Sequence, residues 1–219
     1  MRKLAGFLFF LSSLHASGQA LDSLNRTSQA MEDSLVNIYY SSQQETLSSL
    51  YNGRQFYGYP ATIQDHAFYL SKNWLTGSVY YDGFWYRNVQ IMYDIYQDEV
   101  TVKHPNGVAV VLFGERVNEF SFQGQTFVYL KENNGIKKGF YQRLTQGRAI
   151  VYAKRIKLLE EKIDGMAVER KFLSRNVFFI YKENRYYPVK KLKTLLNALE
   201  DKRKEVQQYR SRLKLRYKK

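Results

Sequence analysis

Hydrophobic and polar residues alternate along the stretch from Gly77 to Lys103. Hydrophobic side chains occupy every second position of its second half, at Val89, Ile91, Tyr93 and Ile95. An extended chain places these residues on one face, which we expect to be buried, and places Asp94 on the opposite, partly solvated face. Asp82-Gly83 is a dipeptide suited to a type I′ turn, and Gln97-Asp98 is a second turn signal. The stretch therefore predicts antiparallel strands joined by tight turns.

Turn signals continue at regular intervals after Lys103. Asn106-Gly107, Gln123-Gly124, Asn133-Asn134-Gly135 and Gln146-Gly147 are followed by the apolar runs VAVVLF, TFVYL, FYQRL and AIVYA, respectively. This pattern predicts an antiparallel meander over 51–187 that forms a half-barrel, a barrel or a sandwich. The pattern of Lys157 to Phe172 fits either a long loop or a short helix. A closing hairpin is expected around Lys182-Glu183-Asn184.

Helical periodicity flanks this β-rich region on both sides. Residues 21–50 carry apolar side chains at helical spacing, at Leu24, Met31, Leu35 and Ile38, after a possible N-cap at Asp22-Ser23. Residues 188–219 repeat leucines in the same way and predict a basic amphipathic helical tail, although the last ten residues also alternate as a strand would. The fold class is mainly β (α+β), with an N-terminal helix and basic C-terminal helices.

The first twenty residues have the layout of a secretory signal peptide. Arg2-Lys3 precedes an apolar run from Leu4 to Leu14, and small residues follow. The run is short against the ~20 residues that span a bilayer, so we expect cleavage after Gly18 or Ala20 rather than a retained anchor. The chain has no cysteine, which excludes disulfides, thiol catalysis and acylation on cysteine. These features predict an exported protein, periplasmic or secreted.

Positive charge is concentrated at the C-terminus. The chain has a formal net charge of +14, and residues 182–219 hold fourteen Lys or Arg against four Asp or Glu. The candidate residues for binding an anionic surface are Lys202, Arg203, Lys204, Arg210, Arg212, Lys214 and Arg216. Three interpretations remain open: a solvated helix packed on the domain, attraction to anionic lipid or glycan, and nucleic-acid binding. Export argues against nucleic acid.

No pattern of catalytic residues emerges from the sequence. It contains no nucleophile elbow, phosphate loop or dinucleotide motif, and only His66 and His104 remain after cleavage, so no cofactor or metal site is predicted. Four neighbouring carboxylates suggest glycoside hydrolysis as a further possibility, at Asp82, Asp94, Asp98 and Glu99. The aromatic candidates for stacking on a sugar or lining an apolar cavity are Trp85, Tyr86, Tyr93 and Tyr96, although aromatics also suit strands in general.

The pattern Gly77-x-Val79-x-Tyr81-Asp82-Gly83, followed by Tyr86, Asn88-Val89, Tyr93-Asp94 and Asp98, resembles a signature of uncharacterised exported β-rich proteins of Gram-negative bacteria. The ending Tyr186-Tyr187-Pro188-Val189 before a Lys-rich helix is similar to theirs as well. The resemblance implies export and no particular activity. A looser likeness in architecture alone is to periplasmic lipoprotein carriers.

Three functions are thus compatible with the sequence. The first is a non-enzymatic exported protein that binds an envelope component or a protein partner of unknown identity. The second is a carrier whose curved sheet holds a lipid or other apolar ligand, and the third is a glycan-directed hydrolase.

Overall fold

The computed structural model of the protein describes residues 49–133, 135–165 and 167–213. The predicted signal peptide, nearly all of the predicted N-terminal helix, and Lys214 and Arg216 of the tail lie outside these residues. The described part belongs to one compact unit, Ser49–Lys219.

Within the described residues, eleven antiparallel strands form one sheet. They are β1 (Arg54–Gln55), β2 (Leu75–Tyr81), β3 (Phe84–Asp94), β4 (Glu99–Lys103), β5 (Ala109–Val111), β6 (Val117–Phe122), β7 (Gln125–Leu130), β8 (Gly139–Arg143), β9 (Ile150–Asp164), β10 (Ala167–Lys182) and β11 (Arg185–Val189). A 3₁₀ turn, Gly114–Arg116, precedes β6. The order across the sheet is β1-β5-β4-β3-β2-β6-β7-β8-β9-β10-β11. The predicted antiparallel sheet is confirmed, and β2 to β5 and β6 to β11 each follow one another across it, but β6 returns to pair with β2 and β1 pairs with β5. Over the described residues the sheet is open and no barrel closes, because β1 and β11 are its two outer strands.

Local turn chemistry positions the first hairpins as the sequence predicts. Asp82 and Gly83 adopt φ angles of 48° and 85° between β2 and β3, and Tyr81 faces Phe84 across the turn. Only residues that tolerate the left-handed region fit such a turn, which explains the Asp-Gly pair. Asp98, with φ 62°, turns the chain from β3 into β4.

Aromatic side chains fill the main core between the central strands. Phe120 and Phe127 are cross-strand partners whose rings stack at 4.9 Å, and Tyr93 and Phe140 contact Phe120 edge-on at 5.1 and 5.2 Å. Such pairs contribute ~1 kcal/mol each beyond the area that they bury. A second, smaller core gathers around Ile136, Tyr141 and Tyr152 at the other end of the sheet. The interior face is therefore filled by the chain's own side chains.

The stretch from Lys157 to Phe172 is neither a loop nor a helix. It belongs to a long hairpin in which β9 and β10 pair without a register shift from Asp164↔Ala167 to Ile150↔Tyr181. The second hairpin, β10 to β11, turns at Glu183-Asn184 as predicted.

Asp94 does not lie on a solvated face, so that prediction is wrong. Its side chain is only 1% exposed. The chain before β2 surrounds Asp94 at this point, since Phe68 forms an isolated β-bridge with Asp94 at the edge of β3 and the Tyr59 hydroxyl donates to the Asp94 carboxylate at 2.5 Å. The alternation of hydrophobic residues along β3 predicts which face packs on the main core. It carries no information on the segment before β2, which surrounds Asp94.

The C-terminal helices are short and differ in their packing. The first, α1 (Leu192–Ala198), buries Leu196 and Ala198. A 3₁₀ turn, Glu200–Lys202, leads to α2 (Arg203–Arg212), which has no buried residue. Within the described ranges, no helix has the length and apolar character needed to span a membrane.

Candidate functional site

A groove opens where the long hairpin meets the end of the sheet. It lies between residues 132–137, before β8, and strands β8 to β11, and its volume is about 640 Å³. This is within the ~300–1,000 Å³ that is typical of small-molecule sites. We call it the cationic groove, because four of its lining side chains are basic: Lys137, Lys154, Arg175 and Lys190.

Strand register explains how cations and apolar groups come to share this surface. Lys154 on β9 faces Val177 on β10, and Ile156 faces Arg175. Directly paired residues of an antiparallel ladder lie on the same face, so each basic side chain stands beside an aliphatic one. Phe179 and Ile136 extend the apolar floor towards the smaller core.

Lys154 is already bound by the protein itself. Its ammonium donates to Asp98 Oδ2 at 2.5 Å and to the Phe140 carbonyl at 3.0 Å, and it lies 4.9 Å from the centre of the Tyr141 ring. Burial lowers the pKa of Lys154, and the negative charge of Asp98 opposes that shift. Lys154 therefore serves mainly to neutralise Asp98 at the inner end of the groove.

Asp98 is fixed from three directions. It accepts hydrogen bonds from the buried Tyr93 hydroxyl at 2.6 Å and from the Phe140 N–H at 3.2 Å, besides that from Lys154. Gly139 makes this possible, because a Cβ at that position would collide with the Asp98 carboxylate and approach the Lys154 ammonium. The inner wall of the groove is thus rigid.

The other three basic side chains of the groove differ from Lys154 in their contacts. Within the described ranges, Lys137, Arg175 and Lys190 form no salt bridge, and Glu132 is the one carboxylate in the groove lining. Arg175 lies on the exposed part of β10, while Lys190 directly follows β11. The mouth of the groove is consequently positive over an apolar floor, a combination that suits a ligand with an anionic and an apolar part.

The sequence-predicted aromatic candidates do not come together. Tyr86 and Tyr93 are buried in the main core. Trp85, next to Tyr86 on β3, points to the opposite face, is 49% exposed and packs on Tyr80 at 5.2 Å. Tyr96 packs edge-on against Phe172 at 5.3 Å. These four side chains contribute to separate surfaces, and none of them lines the cationic groove.

The four carboxylates likewise have separate partners. Asp82 pairs with Arg116 at 3.3 Å, Glu99 with Arg54, and Asp98 with Lys154. Asp94 accepts from the N–H groups of Tyr96 and Gln97, both at 2.9 Å, besides the Tyr59 hydroxyl. Asp82 and Asp98 thus lie in turns, and Glu99 belongs to a surface ion pair. Asp94 is the buried acceptor of several hydrogen bonds.

The two histidines that the structure describes lie in different surroundings. His66 lies in the loop before β2 beside Asp65, and His104 packs edge-on against Tyr51 at 4.5 Å. Asp65 also pairs with the buried Lys157 at 2.6 Å, a contact that lowers the pKa of the Asp65 carboxyl. In the part of the chain that the structure describes, no group of three His, Cys, Asp or Glu is placed to hold a metal ion.

The tail candidates that the structure describes lie at or next to α2. Lys202 pairs with Glu205 at 2.8 Å. Arg203, Lys204, Arg210 and Arg212 are exposed, and Arg212 lies 5.4 Å from the centre of the Tyr209 ring. The apolar positions of this helix remain largely open, since Tyr209 is 54% exposed and Leu213 is also exposed.

The residues of the cationic groove were missed from sequence. Their signal was present as period-two spacing in Lys154-x-Ile156 and Arg175-x-Val177-x-Phe179. Whether these two runs lie on the same face depends on the register of the β9–β10 hairpin, which the sequence alone does not predict.

No family model matches this chain, and no curated protein or solved structure matches it either.

Proposed function

We propose that this protein is a non-enzymatic, exported binding protein whose ligand is an anionic, partly apolar component of the cell envelope. The observation that carries the proposal is the cationic groove, where Lys137, Arg175 and Lys190 surround an aliphatic and aromatic floor. The signal-peptide pattern and the basic tail support a place at the envelope.

If the protein is instead a carrier of an apolar ligand, the cationic groove is again the surface that would bind this ligand. The face of the sheet that a half-barrel carrier would use is occupied by Phe120, Phe127 and Phe140, which are all buried. An acyl chain would instead lie along Ile156, Val177 and Phe179 in the groove. Its anionic head group would then face Arg175 and Lys190.

Native mass spectrometry of the mature protein, purified from its own envelope, tests this proposal. We expect a discrete added mass that organic solvent removes. In the variant Arg175→Gln with Lys190→Gln, we expect binding to weaken by about fivefold for each charge removed, because a basic residue near an anionic surface contributes ~1 kcal/mol.

The matched control is Arg87→Gln, since Arg87 is also an exposed arginine on a strand but lies outside the groove. This variant should keep the added mass. A bare protein mass in the native preparation, or equal losses in the groove variant and the Arg87→Gln control, would contradict the proposal.

A further inference from the structure

The outer half of the long hairpin extends beyond its neighbours. We call residues 158–163 of β9 and 168–173 of β10 the distal arm. Strand β8 pairs with β9 only at Tyr152 and Ala153. Beyond that point, β9 has no strand neighbour on its outer side within the described part of the chain. A bare strand edge of this kind readily pairs with another strand.

Apolar side chains are exposed on both faces of the distal arm. Ile163 and Val168 face each other across the ladder and are 77% and 51% exposed. Leu158 and Leu173 form a second exposed pair on the opposite face. A two-stranded ribbon is at best marginally stable alone in water, so these features favour a partner that covers the arm.

Backbone hydrogen bonds identify which edge is free. The Lys157 N–H points away from β10, because it donates to the Ile95 carbonyl at 3.0 Å. Backbone groups alternate in direction along a strand, so Leu159, Glu161 and Ile163 also present their N–H and C=O groups outward. The outer edge of β10 is instead engaged by Gln64, which bonds with Arg170 and Phe172 at 2.8 and 3.1 Å.

The free edge of β9 is complementary to itself. In an antiparallel pair of two copies centred on Glu161, Leu159 stands opposite Ile163, and Glu160 opposite Lys162, in both halves of the interface. Glu161 meets its own copy, but each Glu161 is paired with Arg170 of its own hairpin at 2.7 Å. Centring the pair on Glu160 or Lys162 would likewise oppose two like charges, and it would in addition set Leu159 or Ile163 opposite Glu161 instead of opposite each other, which is less favourable.

We propose that two copies of this chain associate through the outer edge of β9, as a two-fold symmetric antiparallel strand pair centred on Glu161. Such an isologous contact is the commonest form of homodimer interface. Because one strand edge buries less than the ~1,200 Å² of a standard interface, the dimer should be reversible and depend on concentration. This assembly is independent of the ligand proposed for the cationic groove.

A single cysteine tests the geometry, since the chain contains none. A hydrogen-bonded antiparallel pair brings opposing Cα atoms to ~5.5 Å, within the range that a disulfide spans. Glu161→Cys in the mature chain should form a reducible dimer under mild oxidation. The control Glu169→Cys lies on β10, about three strand spacings of ~4.8 Å from its own copy, and should stay monomeric.

Charge exchange tests the register. Lys162→Glu and Glu160→Lys each place like charges opposite each other twice, and we expect each variant to weaken dimerisation about tenfold in sedimentation experiments. The double variant restores Lys-Glu pairs across the two-fold axis and should recover dimerisation. Thermal unfolding of each variant checks that the hairpin is retained.

The proposal is overturned by any of three results. One is a wild-type chain that stays monomeric from micromolar to near-millimolar concentration. Another is a Glu161→Cys variant that crosslinks no better than Glu169→Cys. The third is a double variant that dimerises no better than its parents, since generic stickiness of the exposed leucines would ignore these charges.

Discussion

At the scale of single residues, Asp94 combines burial with charge. Burial raises the pKa of its carboxyl above the ordinary value of 3.8, while the hydrogen bonds from Tyr59, Gln97 and Tyr96 act in the opposite direction. The folded state thus favours the protonated carboxyl. The contribution of Asp94 to the free energy of unfolding is then largest at acid pH, and it falls as the pH rises from 3.8 through the raised folded-state pKa.

Two substitutions at this position should separate charge from hydrogen bonding. In Asp94→Asn, the amide oxygen still accepts from the N–H groups of Tyr96 and Gln97, and no charge is buried. We expect its stability relative to wild type to rise as the pH increases from the ordinary carboxyl pKa of 3.8 towards neutral pH. Asp94→Ala leaves those donors and the Tyr59 hydroxyl without an acceptor and should lose about 3 kcal/mol.

Urea unfolding of both variants and the wild type across this pH range provides the measurement. A constant stability difference between Asp94→Asn and wild type would show that the carboxyl titrates normally in the folded protein. Similar losses in the asparagine and alanine variants would show that the hydrogen bonds contribute little.

At the scale of elements, the close contact of β2 with its neighbours depends on Gly77. A Cβ at this position would collide with the Ser121 carbonyl of β6, whereas a Cβ at Gly83, in the turn, meets open space. We expect Gly77→Ala to lose about 3 kcal/mol, the upper end for overpacking. Gly83→Ala should lose about 1 kcal/mol, from its positive φ alone.

Thermal and urea unfolding of these two variants compare two losses of folding free energy. The loss in Gly77→Ala comes from a packing defect, and the loss in Gly83→Ala comes from local backbone strain. The comparison is matched, since both changes add one methyl group within the same β2–β3 hairpin. Equal losses would mean that β6 moves aside without cost, contrary to the tight contact at Ser121.

The same hairpin shows what sequence predicts well. Asp82-Gly83 encodes its turn locally, and the alternation of Val89, Ile91 and Tyr93 encodes one buried face, so β2 to β4 follow from the pattern alone. The stretch Lys157–Phe172 does not, because charges lie on both faces of an exposed ribbon and erase the contrast on which periodicity depends.

The cationic groove could not be predicted from the sequence for a related reason. Lys154 and Arg175 line the same groove only because of the register of β9 with β10, which pairing over the whole hairpin determines. Local residue chemistry carries no information on that register. The tail was easier to predict, since leucine spacing indicates α1 directly and Leu196 is buried as an amphipathic helix requires.

At the scale of the whole molecule, the basic residues of the C-terminal region and its buried apolar residues lie in different segments of the chain. Residues 202–219 contain nine Lys or Arg and one Glu, while α1 before them is anchored by buried Leu196 and Ala198. Lys182 is held by Asp201 at 2.5 Å, a contact that a truncation at Lys202 leaves in place. Since α2 buries no residue, we expect removal of the tail to cost little folding free energy.

We expect deletion of 202–219 to abolish salt-sensitive retention on anionic vesicles while thermal stability stays nearly unchanged. Each basic residue near such a surface contributes ~1 kcal/mol, and screening over ~10 Å at 0.1 M salt should weaken the retention of the intact chain. A full-length control carries Gln at Arg203, Lys204, Arg210 and Arg212. It should lose most of the retention as well, because charge rather than helix length drives the binding.

The groove variant, Arg175→Gln with Lys190→Gln, completes the comparison. It keeps the tail and should keep most vesicle retention, whereas the truncated chain should keep the mass bound in the cationic groove. Retention that survives the deletion would refute a surface role for α2 and the residues after it. Loss of both properties in both variants, with thermal unfolding unchanged, would mean that ligand binding in the groove and at the tail is coupled, as it would be if one ligand contacted both.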